Sequence, residues 1–348
     1  MKNKQKIISD RKSDHVDLCL TDTVSYKKTN GFDYYDFIHF AATDVDFNKI
    51  TLSQKLFNKT ISYPFFISCM TGGYNGSLKI NSELANLASL MNIPVGVGSQ
   101  RQALENDSLI ETYRVIRKNN KDGLVFGNIG VPQIVKSKDP IEIIKKLSDI
   151  IEADAMVIHV NPLQEIFQPE GELHFHGFLD KLSNITSKIK IPIIIKEVGS
   201  GINYNSAKLY LERGAVGIDV AGAGGTSWSK VEIERNKSLV SYFWGEWGLR
   251  TSYCVRTVAE LKKDYKFTLL ASGGINNSLD FAKSIALGAD LSGSARIILK
   301  NIVENGIDET KNMLLQWIDD LKKIMFLTGS INLKEFRNGK IIKAEELI

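Results

Sequence analysis

PIIIKEVGSGINYNSAKLYLERGAVGIDVAGAGGTSW (192–228) holds two short apolar runs, PIIIK and VGIDV, separated by a helical pattern and each followed at once by a glycine-marked polar loop. Apolar runs of this length read as buried parallel strands in βα units. Upstream, the same unit appears as FFISCM then TGG (65–73), IPVGVG then SQR (93–101), LVFGN then IG (124–130) and MVIHV then NPLQE (156–165). Downstream it appears as TLLAS then GGI (268–275) and ADLSG then SAR (289–296). Eight such runs in succession predict an α/β fold, a (β/α)8 TIM barrel, in which the residues just past each strand gather at the C-terminal face where active sites sit.

Working outward, residues 1–62 read as an N-terminal arm packed on the barrel, since the segment is too short to bury much core alone. It carries an aromatic cluster, FDYYDF (32–37), and a short strand pair expected around DVDFNKITLSQKLF (44–57). Residues 63–300 are the barrel. Ile80, Leu84, Leu87, Ala88 and Met91 follow helical spacing after the first strand. Ser278 reads as an N-cap and Gly288 as the end of a later helix. Residues 301–348 read as a C-terminal helix, amphipathic over 305–327, and a polar tail of the last twenty residues.

A formal net charge of +4 on 348 residues, scattered along the chain, does not suggest a nucleic-acid partner. Cys19, Cys69 and Cys254 lack CxxC spacing, so neither a disulfide framework nor a structural zinc site is expected. The charged N-terminus has no apolar secretory core, and no apolar stretch approaches a membrane span. A soluble protein of the cytoplasm is the expectation. Barrels of this kind often assemble, so a homo-oligomer is expected, with the aromatic cluster at 32–37 as a candidate interface.

The end of the barrel carries the strongest phosphate signal. SGGI (272–275) and GSAR (293–296) occupy the two loops that commonly bind phosphate through backbone N–H groups. Gly273 and Gly274 let backbone approach an oxyanion or simply make a tight turn; Arg296 offers a bidentate contact. Lys196 ends a strand of almost pure Ile, where a charge needs an opposite charge or a reacting group. It reads as support for negative charge on a reduced flavin or as a partner of Glu197. Asn128 and Ser99 are either flavin-edge partners or loop caps.

HVNPLQEIFQPEGE (159–172) gathers an imidazole, amides and carboxylates after the fourth run. Glu165 suits a hard divalent cation that also touches a diphosphate. His159 is either a core histidine or part of this group with Asn161 and Gln164. Arg11, Lys12 and His15 read as a solvated tail, or, with Arg101, Arg11 and Lys12 read as a diphosphate clamp.

RKSDHV, ISCMTGG, GSQR, GNIG, HVNPLQE with QPEGE, KEVGSGI, DVAGAGGTSW, ASGGI and GSAR, in this order, resemble the type 2 isopentenyl diphosphate isomerases over residues 10–300. The resemblance implies an FMN-dependent (β/α)8 enzyme that interconverts isopentenyl and dimethylallyl diphosphate with Mg2+, its flavin primed by NADPH. It implies FMN contacts at Cys69, Met70, Thr71, Ser99, Asn128, Lys196 and Thr226. The FMN phosphate would lie on Gly273, Gly274, Ile275, Ser294 and Ala295. Substrate diphosphate would meet Arg11, Lys12, Ser99, Gln100 and Arg101. Gln164 would face the isoprenoid carbons, Glu165 would bind Mg2+, and Gln164, Lys196 and His159 form the catalytic group. Cys69 stands where a small residue is usual, Ala223 replaces a commonly basic residue, and EWG (246–248) varies the usual DWG. The competing reading, a flavin-dependent 2-hydroxy acid oxidase, needs a histidine base in an HGG segment after the sixth or seventh strand. AGAGGTSW has none, and all five histidines lie at or before His176.

Overall fold

The structure is a computed structural model that describes residues 12, 14–238 and 240–347. Eight parallel strands close a barrel: β1 Phe65–Ile67, β2 Val95–Gly96, β3 Val125–Gly130, β4 Ala155–Val160, β5 Ile193–Glu197, β6 Gly217–Asp219, β7 Thr268–Ala271 and β8 Leu291–Ser294. Closure comes from β8 pairing with β1, Ser292 against Phe65.

Strand side chains alternate between two cores. Phe66, Phe126, Val157, Ile194, Leu270 and Leu291 form the barrel interior, while Ile67, Met156, Ile158, Ile193, Ile195 and Ile218 face the helices. A hairpin, Gln54–Leu56 with Lys59–Ile61, places Leu56 and Ile61 in that interior core. It turns through Phe57 and Asn58, both at positive φ, so the strand pair sits several residues beyond the centre of the expected window; 47–49 is a single 3-10 turn instead.

The period of two also settles what crowns the barrel. Two residues beyond the inward Phe126, Val157, Ile194 and Leu270, the next inward residue is polar: Asn128, His159, Lys196 and Ser272. Asp219, beside Lys196 in register, joins them. An apolar floor thus carries a polar layer at the C-terminal end of the strands.

Helix Ser77–Met91 buries Leu84, Leu87, Ala88 and Met91, as the spacing predicts. Asn277, not Ser278, caps helix Ser278–Ala286, its side chain accepting from the Asp280 N–H; Gly288 then leaves the helix at φ 114°. The C-terminal segment differs from the expectation of a helix and polar tail. Helix Arg296–Leu327 starts at the β8 loop and is broken by Gly306. Beyond it, Leu333 and Phe336 are buried, and strand Ile341–Lys343 pairs antiparallel with Tyr35–Phe37. That pairing, with Phe32 and Tyr35 buried, spends most of the 32–37 aromatic cluster within the chain.

Candidate active site

A cavity of about 260 Å³ opens at the C-terminal end of the barrel. Its walls come from two differently built sides.

The first side is backbone. Loops 221–225 and 272–274 pack against each other so closely that a Cβ on Gly273 would lie 2.2 Å from the Gly222 carbonyl oxygen, and one on Gly225 2.7 Å from the Gly274 nitrogen. Gly273 and Gly274 also hold φ of 107° and 74°, the left-handed region that side chains resist. The N-terminal arm lies on the same loops: a Cβ on Gly224 would meet Asn30 Cα at 2.3 Å, and Asn30 Nδ2 donates to the Gly274 carbonyl at 2.6 Å. Gly273, Gly274, Ser294 and Ala295 all line the cavity. Ile275 does not; its side chain is fully buried and its carbonyl accepts from Ser294 Oγ at 2.8 Å.

Arg296 corrects the phosphate reading. Its guanidinium donates to the carbonyls of Cys19 and Thr21 at 2.7 and 2.6 Å, to Ser25 Oγ, and to Asp22 at 2.6 Å. The side chain pins the arm to β8 and has little capacity left for an anion.

The polar layer forms the floor. Lys196 is 8 % exposed and its ammonium donates to the Glu197 main-chain carbonyl at 2.6 Å. The Glu197 carboxylate does not meet it; that side chain faces away, and Oε2 takes the N–H groups of Val198 and Gly199, each at 2.6 Å. Asn128 Nδ2 donates to the Val97 carbonyl at 3.1 Å, so its Oδ1 is the acceptor facing His159 Nδ1 at 2.8 Å. His159 therefore carries its proton on Nδ1. Burial, with Lys196 and Lys12 nearby, lowers its pKa to about 3, so the ring is neutral. Burial pushes the Cys69 thiol up to about 12 against the pull of Lys196. Cys69, Met70 and Thr71 line one wall, and Thr71 Oγ1 is buried there with no hydrogen-bond partner. Ser99 and Thr226 line the cavity too.

The second side is made of long side chains that meet across the sequence. Lys12 Nζ is held by the Gly72 carbonyl, by the Ser99 carbonyl at 3.1 Å and by the buried Tyr113 hydroxyl at 3.1 Å. Arg101 lines the mouth, paired with Glu105 at 2.9 Å and Glu172 at 3.3 Å. In the short helix Pro162–Phe167, Asn161 Nδ2 donates to Gln164 Oε1 at 3.1 Å and Glu165 Oε1 at 2.9 Å, while Glu165 Oε2 accepts the Glu172 N–H at 2.7 Å. Gln164 Nε2 donates to Glu232 at 3.1 Å.

Glu232 is the site residue that sequence reading missed. It is fully buried on helix Trp228–Asn236 and also receives His15 at 2.9 Å and Arg235. Burial alone would raise its pKa, but the His15, Gln164 and Arg235 contacts win and hold the carboxylate below its ordinary range. The usable signal was positional: this helix follows AGAGGTSW directly, so its first turns sit at the catalytic face. His15, on a helical stretch over 14–20, thereby belongs to the site rather than to a solvated tail.

One expected contact falls elsewhere. Gln100 is fully buried outside the cavity: its amide donates to the Leu147 carbonyl at 2.9 Å and its Oε1 accepts the Asn128 N–H at 2.9 Å, a brace between β3 and helix Pro140–Ile151. Arg11 lies outside the described residues. The two distal departures are also placed: Ala223 is fully buried beneath Leu249, and Glu246 pairs with Lys230 and the N–H groups of Lys27 and Lys28.

For FMN, the chemistry fits: a glycine-lined backbone rim, a partnerless hydroxyl at Thr71, and a buried cation at Lys196. For a metal, no cluster of three or more His, Cys, Asp or Glu side chains converges among the described residues. Glu165 would supply one carboxylate, and a bound diphosphate and water the rest. No helix among the described residues is long and apolar enough to cross a membrane.

Residues 168–343 match the family model of the FMN-dependent dehydrogenases. A protein of Chlorobium phaeobacteroides called isopentenyl-diphosphate delta-isomerase is 40% identical over 96% of this chain and 95% of its own length. A Nostoc protein of the same name is 39% identical over 94% of each. Among solved structures, a flavocytochrome b2 double mutant with sulfite bound superposes with a TM-score of 0.69, covering 95% of this chain and 83% of that one at 16% identity. A mandelate oxidase mutant gives 0.63 at 14% identity, over 91% of this chain and 90% of that one. At such identity the likeness shows the barrel fold alone.

Proposed function

The chain belongs to the FMN-dependent, type 2 isopentenyl-diphosphate delta-isomerase family, and from that premise we propose how its residues divide the work. The reaction moves a double bond from C3–C4 to C2–C3, adding a proton at C4 and removing one at C2, with no net redox change. When bound and reduced, FMN supplies the acid–base chemistry that no side chain of the site is placed to supply for an unactivated alkene.

The observation that carries this reading is Lys196: a cation 8 % exposed, at the top of an Ile strand, aimed into a glycine-rimmed cavity. It would hold negative charge on the reduced ring. Backbone N–H groups of Gly273, Gly274, Ser294 and Ala295 would take the FMN phosphate, and Met70, Thr71, Ser99, Asn128 and Thr226 would border the ring. Cys69 enters as an uncharged thiol.

On the other wall, Lys12 and Arg101 would bind the substrate diphosphate, each delivered pre-oriented by Tyr113 and by Glu172. Arg11 is proposed beside them. Glu165 would hold Mg2+ against the diphosphate and fix the allylic carbons by proximity. Gln164, braced by Asn161 and Glu232, would face those carbons. His159, neutral with Nε2 left as an acceptor, would orient substrate rather than donate a proton. NADPH is the proposed reductant that primes the flavin; the cytoplasm and self-association belong to the same reading, and size-exclusion chromatography tests the latter.

Purified protein should be yellow with FMN and should isomerise isopentenyl diphosphate only after flavin reduction, without oxygen uptake on lactate or glycolate. Full turnover with oxidised flavin, or by flavin-free protein, overturns the reading.

A further inference from the structure

Lys196 has a neighbour that the reading above leaves without a task. Asp219 is its register partner on β6 and, by the alternation of the strands, faces the same interior. It is 1 % exposed. Oδ1 accepts from the Ser272 N–H at 3.2 Å and from Ser272 Oγ at 2.7 Å. The Ala221 N–H also lies near enough to favour the charged carboxylate, but Oδ2 is buried and makes no hydrogen bond of normal geometry. The ammonium of Lys196, instead of closing on it, is turned to the Glu197 carbonyl.

A half-satisfied carboxylate under the active cavity is costly. An asparagine would satisfy Ser272 as well without burying a charge. The surrounding titratable groups do not explain it: Cys69, just past β1, is an uncharged thiol and His159 of β4 a neutral ring. Among the described residues, Lys196 of β5 is the cation that acts on Asp219, while Lys12 lies farther out, near His159.

We propose that Asp219 is a positioning residue of the flavin site whose carboxylate opposes the field of Lys196, limiting how far the ammonium stabilises negative charge on the FMN ring. This rests on the FMN reading. An unopposed buried cation makes an anionic ring easy to form and poor at accepting a proton. The isomerisation proposed here needs a ring that both gives and takes a proton each turnover, which calls for intermediate basicity. Burial raises the pKa of Asp219 and Lys196 lowers it; the opposition holds wherever the carboxylate is ionised.

The test uses the FMN-bound protein at mildly alkaline pH. Sulfite adds to the oxidised ring and leaves it negatively charged, so its affinity reports the local field, as does the two-electron midpoint potential. Asp219→Asn and Asp219→Ser should each bind sulfite at least tenfold tighter, with the potential raised by the equivalent of about 30 mV for a two-electron couple. Asp219→Glu, which keeps the charge, should stay within about threefold of wild type. A neutral variant that retains FMN with wild-type sulfite affinity and potential overturns the proposal. Loss of FMN from both neutral variants also overturns it, making Asp219 part of the scaffold. Wild-type protein that binds no FMN defeats instead the functional reading on which it stands.

Discussion

The wall proposed to hold the cofactor and the wall proposed to hold the substrate are built by opposite means. Around loops 221–225 and 272–274 the shape is made by main chain, packed so closely that a Cβ on Gly273 would come within 2.2 Å of the Gly222 carbonyl oxygen. Around Lys12, Arg101, Gln164 and Glu165 the shape is made by side chains that hold one another, such as Gln164 to Glu232 and Arg101 to Glu172. A backbone wall is rigid and suits a resident cofactor. A wall of paired charges can exchange one partner for an incoming diphosphate and magnesium, which suits a substrate that must leave.

If that division is right, damage on one wall should leave the other's ligand untouched. The largest effect is expected from Glu165→Gln, which removes the one carboxylate proposed for the metal: turnover should fall by about a hundredfold or more, with FMN content unchanged and the magnesium dependence weakened. Wild-type activity across a magnesium titration removes Glu165 from that role.

Next in size is Gly273→Ala. A Cβ there collides with the Gly222 carbonyl and must adopt φ of 107°, a strain of about 1–3 kcal/mol. FMN affinity should drop about five- to a hundredfold, read by flavin fluorescence on dilution, while KM for isopentenyl diphosphate at saturating FMN stays put. A change in KM without loss of FMN would erase the distinction between the walls.

Lys12→Ala should do the reverse. A charge-assisted contact is worth about 1.5–3 kcal/mol, so KM should rise about tenfold or more with an unaltered flavin spectrum; an unchanged KM places Lys12 outside the diphosphate site. The smallest effect on activity is expected from His159 titration. With a folded pKa of about 3 against an ordinary 6.5, the ring stays neutral, so kcat/KM should carry no inflection from it near neutrality. Its trace should appear in stability. The unfolded chain takes up the proton first, so stability is lost as pH falls from about 6.5 toward 3, by at most about 1.4 kcal/mol per pH unit. His159→Gln should flatten that acid limb in urea unfolding.

The same contrast governs what could be read from sequence. Strands such as IIIK and the glycine pairs after β6 and β7 announce themselves locally, because burial on both faces and positive φ restrict residue choice at that position. Glu232 does not, since a buried acid on a helix becomes intelligible only when His15, Gln164 and Arg235 are seen around it. Arg296 misled for a related reason. It stands in a phosphate loop, yet its partners at Cys19, Thr21 and Asp22 come from the other end of the chain. The final twenty residues looked polar because, among those described, Leu333 and Phe336 are the apolar side chains driven fully inward, and the strand at 341–343 exists by virtue of Tyr35–Phe37.

The Arg296 pin sets an order on biosynthesis. On the ribosome the arm bearing Lys12 and His15 emerges well before the barrel's last strand, and the guanidinium that fastens it is more than 270 residues later. Until β8 has been translated, the arm has neither that anchor nor a closed barrel rim to lie on, and contacts of such sequence separation are the slow ones to form. A nascent chain therefore acquires its cofactor wall and its substrate wall almost together, near the end of synthesis, so a stalled or prematurely released product should be inert rather than partly active.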